Sequence, residues 1–266
     1  MTIDFDRIKG IALRGIRRAT VFLGLGVNAA RNESITEYDL AETRIKLLPL
    51  KVSAQELKDM KQNFEKWIIW NSLRELIESF GIFLDAINQS CLLFATSKGR
   101  VSSKDADKRG PDFERQGVEG KLRTLRERFN ITTKSENYFA SINQARNCIT
   151  HRQGRVGKED LKGNDSFTPT WRAFDIIIQT PDGAEVSLQA PMPEGGIYLK
   201  DGGTVGLKVL ERLREYKLGD IIEFTPMDIN EICFLVNQVS SEIIVSTINY
   251  AKELGIKITE KNLPES

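Results

Sequence analysis

The only histidine of the 266-residue chain, His151, stands five residues after Arg146, with Asn147 between them, in the stretch YFASINQARNCITHRQG at 138–154. These side-chain types suit phosphodiester cleavage without a metal. Such a reaction must activate a 2′-OH, stabilise the charge of an in-line phosphorane and protonate the leaving 5′ oxygen. Histidine is the side chain built for proton transfer near neutrality. Arginine is a permanent cation whose planar fork matches phosphate oxygens. On a helix, Asn147 and His151 are i and i+4 and share a face. Arg146, one position away on a long arm, can reach the same phosphate. Gly154 reads as the residue just past the helix end, which puts His151 in the last turn, where the dipole favours positive charge. The competing reading is that Arg146 and His151 only cap a helix and make surface contacts.

Arg-Asn-x-x-x-His near a helix end resembles the motif of HEPN domains (higher eukaryotes and prokaryotes nucleotide-binding), many of which are metal-independent endoribonucleases. The resemblance spans about 54–157 and 225–255 and leaves out the first 50 residues and the β-rich part. It implies an antiparallel helical bundle that dimerises with two motifs facing each other, cutting RNA to leave 2′,3′-cyclic phosphate ends. Arg146 would bind phosphate, His151 would move protons and Asn147 would orient. Toxin, antiphage and RNA-processing roles are all implied. A dimer also meets a need visible in the residues, because acid–base cleavage wants two proton carriers and one chain has a single histidine. The alternative is a non-catalytic HEPN scaffold, or a module that binds nucleotide or RNA.

No cofactor or metal is expected. Cys91, Cys148 and Cys233 are far apart, and with one histidine and no C-x-x-C pair they suggest neither a zinc site nor a disulfide framework. Cys148 reads as a packed residue. Reduced thiols suit a cytoplasmic protein. The segment 19–30 is a poor signal peptide, interrupted by two glycines and Asn28, and no run approaches 18 apolar residues, so no membrane is expected.

The net charge of +1 carries no global nucleic-acid footprint. The charge is uneven, however. Ten basic and six acidic residues between Lys98 and Arg128 leave +4 there, and the remainder is −3. Lys108, Arg109, Arg123 and Arg126, with Arg152 beside the motif, are therefore the expected RNA contacts. Residues 97–120, rich in Gly, Ser and Lys/Arg, read as a mobile loop before a helix at about 118–129.

The elements that must hold these residues read as mainly α: an antiparallel helical bundle with a small β-rich insertion before a long C-terminal helix. An N-terminal helical extension occupies 1–52. Within it, residues 5–23 carry an apolar stripe, and Gly24-Leu25-Gly26-Val27-Asn28-Ala29 matches a dinucleotide fingerprint but reads as a helix end and turn. Ser34 and Glu37 suggest a capping box. The HEPN-like bundle occupies 53–160. Ser53 and Glu56 form a second box, and Leu73, Ile77, Phe80, Leu84, Ile87, Cys91 and Phe94 form a heptad seam. Trp67 and Trp70 read as core. Ser135 is the expected cap of the motif helix, whose inner face is Phe139, Ile142, Ala145 and Ile149.

The insertion spans 165–224 and could meet a protein partner. A hairpin is expected where 174–179 and 185–190 flank Thr-Pro-Asp-Gly, with a third strand at 197–200, a helix from Thr204 to Tyr216 and a strand at 220–224. Thr225-Pro226 then opens a helix that runs through 225–255, stops at Gly255 and returns to the bundle.

Overall fold

The spacing of four and three from Leu73 to Phe94 does what such spacing dictates. It puts every seam residue on one side of a 44-residue helix, α2 (Ala54–Ser97), and all seven are buried. Ser53 caps α2 through the expected box with Glu56. The protein is seen here as a computed structural model describing residues 3–36, 52–188 and 202–258. It is mainly helical. The Ser34–Glu37 box and the strand expected at 197–200 fall partly or wholly outside the described residues.

The first helix, α1 (Phe5–Arg31), lies antiparallel on α2: Phe5 meets Phe94, Arg18 pairs with Glu75, and Arg31 pairs with Glu65. It does not stop at the Gly-x-Gly stretch, because Gly26 has a packing role. A Cβ there would lie 2.7 Å from Ile68, and one at Gly15 would lie 2.2 Å from Cβ of Ser79. Both glycines let two backbones approach, so no nucleotide turn forms. Instead of a loop, 97–120 contains α3 (Ser103–Glu114), with Ser102 accepting a hydrogen bond from the Asp105 amide at 3.1 Å. Phe113 anchors α3 in the core and Ala106 packs against it, and that apolar burial overrides a composition that favours disorder.

Next come α4 (Val118–Phe129), α5 (Glu136–Arg152) and the short α6 (Lys158–Leu161). Lys121, one of the ten cations of the basic stretch, is buried. Its Nζ lies 2.6 Å from Asp85 Oδ1 and donates to the Gly81 carbonyl at 3.3 Å. It clips α4 to α2 and is not offered to a ligand.

The chain then forms β1 (Thr170–Gln179), β2 (Glu185–Ser187) and β3 (Thr204–Leu213), an antiparallel sheet in the order β2-β1-β3. The hairpin is as expected, but Thr204 opens a strand and not a helix. Val205, Leu207 and Val209 alternate, and β3 pairs with β1 over its whole length, from Thr170–Leu213 to Gln179–Thr204. Pairing with a neighbour outweighs the local helical propensity of the Glu/Leu/Lys/Arg run. The strand expected at 220–224 reduces to one bridge, Arg155 with Ile221.

One face of the sheet joins the core through Trp171 and Ala173. Trp171 Nε1 donates to the buried Glu231 at 2.9 Å, and Arg214 reaches Asp228 at 2.6 Å. Both carboxylates belong to α7 (Pro226–Glu253), which packs back on α1 and α2 as expected and buries Ile229, Ile232, Val236, Ile243 and Thr247. The other face is open, with Ile176, Val205, Leu207 and Val209 exposed side by side. By length and composition α2 and α7 are each apolar enough to cross a membrane. In this fold, 61% and 56% of their most apolar windows are buried inside the protein.

Removing one member of a buried ion pair strands the other charge, at about 3–5 kcal/mol. Lys121→Ala should therefore lower unfolding stability by about 3 kcal/mol in a urea titration. Asp85→Leu combined with Lys121→Met should recover most of that loss.

Candidate functional site

α5 is held at its start by packing. Thr133 Oγ1 and the Lys134 amide, just before it, donate to Glu242 of α7 at 2.5 and 3.1 Å. Ser135 occupies the N-cap position, but its hydroxyl makes no capping bond and is buried without a partner. The expected inner face, Phe139, Ile142, Ala145 and Ile149, is buried. The end of the helix is a left-handed closure: Gln153 has φ 52° and Gly154 φ 74°, and the Gly154 amide donates to the Cys148 carbonyl at 3.2 Å. A Cβ on Gly154 would sit 2.6 Å from the Trp70 ring, so this turn is pressed onto α2.

The three motif residues face different surroundings. His151 is exposed in the last turn of α5, and Asn147 is half-buried. Arg146 is half-buried against α2. Its Nη2 donates to Asn143 Oδ1 at 3.0 Å, and Asn143 in turn donates to Glu119 at 3.3 Å. Its Nε is buried with no partner, and no ion pair of Arg146 exists among the described residues. Burial is the main influence lowering its pKa. The Glu78 carboxylate opposes that shift, while the nearby Arg74 guanidinium adds to it. Among the described residues no hydrogen bond joins Arg146 to His151. Cys148 is buried, donates to the Arg155 carbonyl at 3.3 Å, and has its thiol pushed up to about 12, chiefly by burial, so it is a packed residue and no nucleophile.

The expected RNA contacts divide. Lys108 is exposed and Arg109 half-buried on α3, and Arg123 is exposed on α4. Arg126 is exposed but paired with Glu136. Arg152 is engaged by Asp160 through both Nε and Nη2, and by Glu159 at 3.3 Å. That pairing ties the end of α5 to α6. No hydrogen bond or ion pair among the described residues links α3 or α4 basic residues to His151.

A different set of side chains lies beside the motif. Asn63, Trp67, Trp70, Asn71 and Arg74 form a stripe on α2, facing Ile149 and Thr150 of α5 and Gln153 just past its end across a groove of about 500 Å³. A second groove of about 320 Å³, toward α1, shares Trp67, Asn71 and Arg74. Trp67 is 56% exposed, not core, and stacks on Phe64 at 6.3 Å with 19° between the rings. The register could have revealed this. Counting back from Leu73 by three and then four reaches Trp70 and Lys66 and skips Trp67. Comparisons of the chain with family models, curated proteins and solved structures find no match.

Gly154→Ala would place a side chain in a left-handed conformation and against Trp70, so we expect a loss of about 2–4 kcal/mol in chemical denaturation. Replacing Lys108, Arg109, Arg123 and Arg126 with Gln should weaken RNA binding. It should also flatten the salt dependence, lowering the slope of log K against log salt by roughly one for each phosphate no longer neutralised. An unchanged slope would assign those charges to solvation.

Proposed function

We propose that this chain is a metal-independent endoribonuclease of HEPN type that works as a homodimer. The observation supporting it best is the state of Arg146, a half-buried guanidinium with a partnerless buried Nε and no carboxylate ion pair among the described residues, with Glu78 and Arg74 acting on it in opposite senses. A cation held partly out of water is costly until an anion joins it, and a phosphate fits the arginine fork. In this reading Arg146 holds the scissile phosphate, Asn147 orients it, and His151, exposed at the helix end, moves protons.

A second copy supplies the second histidine. One imidazole takes the proton of the 2′-OH as that oxygen bonds to phosphorus. The other gives a proton to the 5′ oxygen as its bond to phosphorus breaks, leaving a 2′,3′-cyclic phosphate and a 5′-OH. The open apolar face of the sheet supports contact with another protein. Such cleavage of cytoplasmic RNA suits a toxin or antiphage effector.

The test is cleavage of RNA in EDTA with the ends mapped. Losing a general acid or base commonly costs 10²–10⁴-fold, so His151→Ala and Arg146→Ala should each reduce the rate by at least about 100-fold, with circular dichroism and oligomeric state unchanged. If wild-type protein cuts no RNA in EDTA, or His151→Ala cuts as fast, the enzyme reading fails and a non-catalytic scaffold replaces it.

A further inference from the structure

We infer that the groove between α2 and the end of α5 is a track for single-stranded RNA, with a base stacked on Trp67 and a phosphate held by Lys66 and Arg74. Four observations converge. First, the side chains lining this groove are two cations (Lys66, Arg74), three amides (Asn63, Asn71, Gln153), one hydroxyl (Thr150), two indoles and two isoleucines, with no carboxylate among them. Second, Trp67 offers an exposed ring backed by Phe64, a flat platform of the kind on which bases stack whatever their identity. Third, Arg74 has no carboxylate ion pair among the described residues. Its Nη1 has only a long 3.4 Å bond to Asn71, and its Nε is buried without a partner. Fourth, Lys66 lies 5.1 Å above the Trp70 ring and 3.6 Å from Glu223, a carboxylate 76% exposed to water, so its own pairing is weak and screened.

The neighbouring groove sets the direction. It carries Glu78 and Glu75, the latter paired with Arg18 at 3.3 Å, and so disfavours phosphate. The two grooves share Trp67, Asn71 and Arg74, so the indole stands where the cation-lined groove meets the carboxylate-lined one. A strand with a base on Trp67 and a phosphate on Lys66 and Arg74 matches the aromatic and cationic lining of the first groove. An acidic peptide would use the cations and leave the exposed indole without a matching flat face. The far wall of the groove is Ile149, Thr150 and Gln153 at the end of the motif helix, and neither Arg146 nor His151 lines it. The proposal extends the ribonuclease reading to its substrate, but binding here does not need cleavage.

The two are separated with a 2′-O-methylated oligonucleotide of about ten nucleotides, which lacks the nucleophile and reports binding alone. It is titrated by fluorescence polarisation into the full-length chain. Base–aromatic stacking predicts that Trp67→Ala binds about 5- to 100-fold more weakly, whereas Trp67→Phe stays within about threefold. Arg74→Gln should weaken binding and reduce the slope of log K against log salt by about one. AMP should compete only at far higher concentration than the oligonucleotide. Melting curves followed by circular dichroism confirm that each variant is folded, and Trp67→Phe keeps the test valid if Trp67→Ala is not. Wild-type affinity in both Trp67→Ala and Arg74→Gln overturns the proposal. So does AMP binding as tightly as the oligonucleotide, which would make this a free-nucleotide site. A changed oligomeric state with unchanged affinity also overturns it, assigning Trp67 to a contact between copies. If these variants lose binding while the wild type cleaves nothing in EDTA, the groove stands and the enzyme reading falls.

Discussion

A helix of 44 residues cannot hide an apolar stripe by itself, and the rest of this protein is arranged to cover the one on α2. Seven seam residues from Leu73 to Phe94 are withdrawn from water, and α1, α4, α5 and α7 all pack against the same helix. At about 25 cal/mol per Å² of apolar surface buried, withdrawing that seam from water is a substantial source of cohesion. The two glycines of α1 serve this constraint. Gly15 and Gly26 let α1 lie close enough to α2 to cover the seam, at the cost of two poor helix formers. Even the sheet serves it, because Trp171 enters the core and bonds Glu231 of α7.

The seam covers only part of α2. Toward its N-terminus the helix presents Asn63, Trp67, Asn71 and Arg74 to a groove, and there the energetics change from burial to unfulfilled electrostatics. Arg74 and Arg146 sit near one another, each with a buried Nε lacking a partner. Lys121 pairs with Asp85, Arg152 with Asp160 and Arg214 with Asp228, although Arg214 Nε and Oδ1 of the buried Asp175 are also without a partner. Arg74 and Arg146, by contrast, make no carboxylate ion pair among the described residues.

The turn at Gly154 joins these two regions. Its positive φ ends α5, and its missing side chain admits the Trp70 ring. One residue thus sets both where the motif helix stops and how its last turn lies against α2. Arg152 locks the same end from the other side by gripping Asp160, so its charge contributes to position more than to ligand capture.

The local pattern determined much of this by itself. The capping box at Ser53, the seam of α2, the inner face of α5, the proline-capped start of α7 and its return to the bundle were all legible, because helix caps and apolar periods act over a few residues. So was the motif, as residue types at a spacing. What the pattern could not determine depended on partners distant in the chain. Residues 204–213 became a strand because β1 offered ten residues of pairing, and 103–114 became a helix because Phe113 found the core. Gly26 proved to be a contact with Ile68 and no phosphate turn, and Lys121 a buried clip to Asp85 and no surface charge. Trp67 and Arg74 became a groove only when α5 was laid across α2. Caps and periodicity are short-range properties of a helix, whereas exposure, pairing and charge neutralisation are decided by what the fold brings alongside.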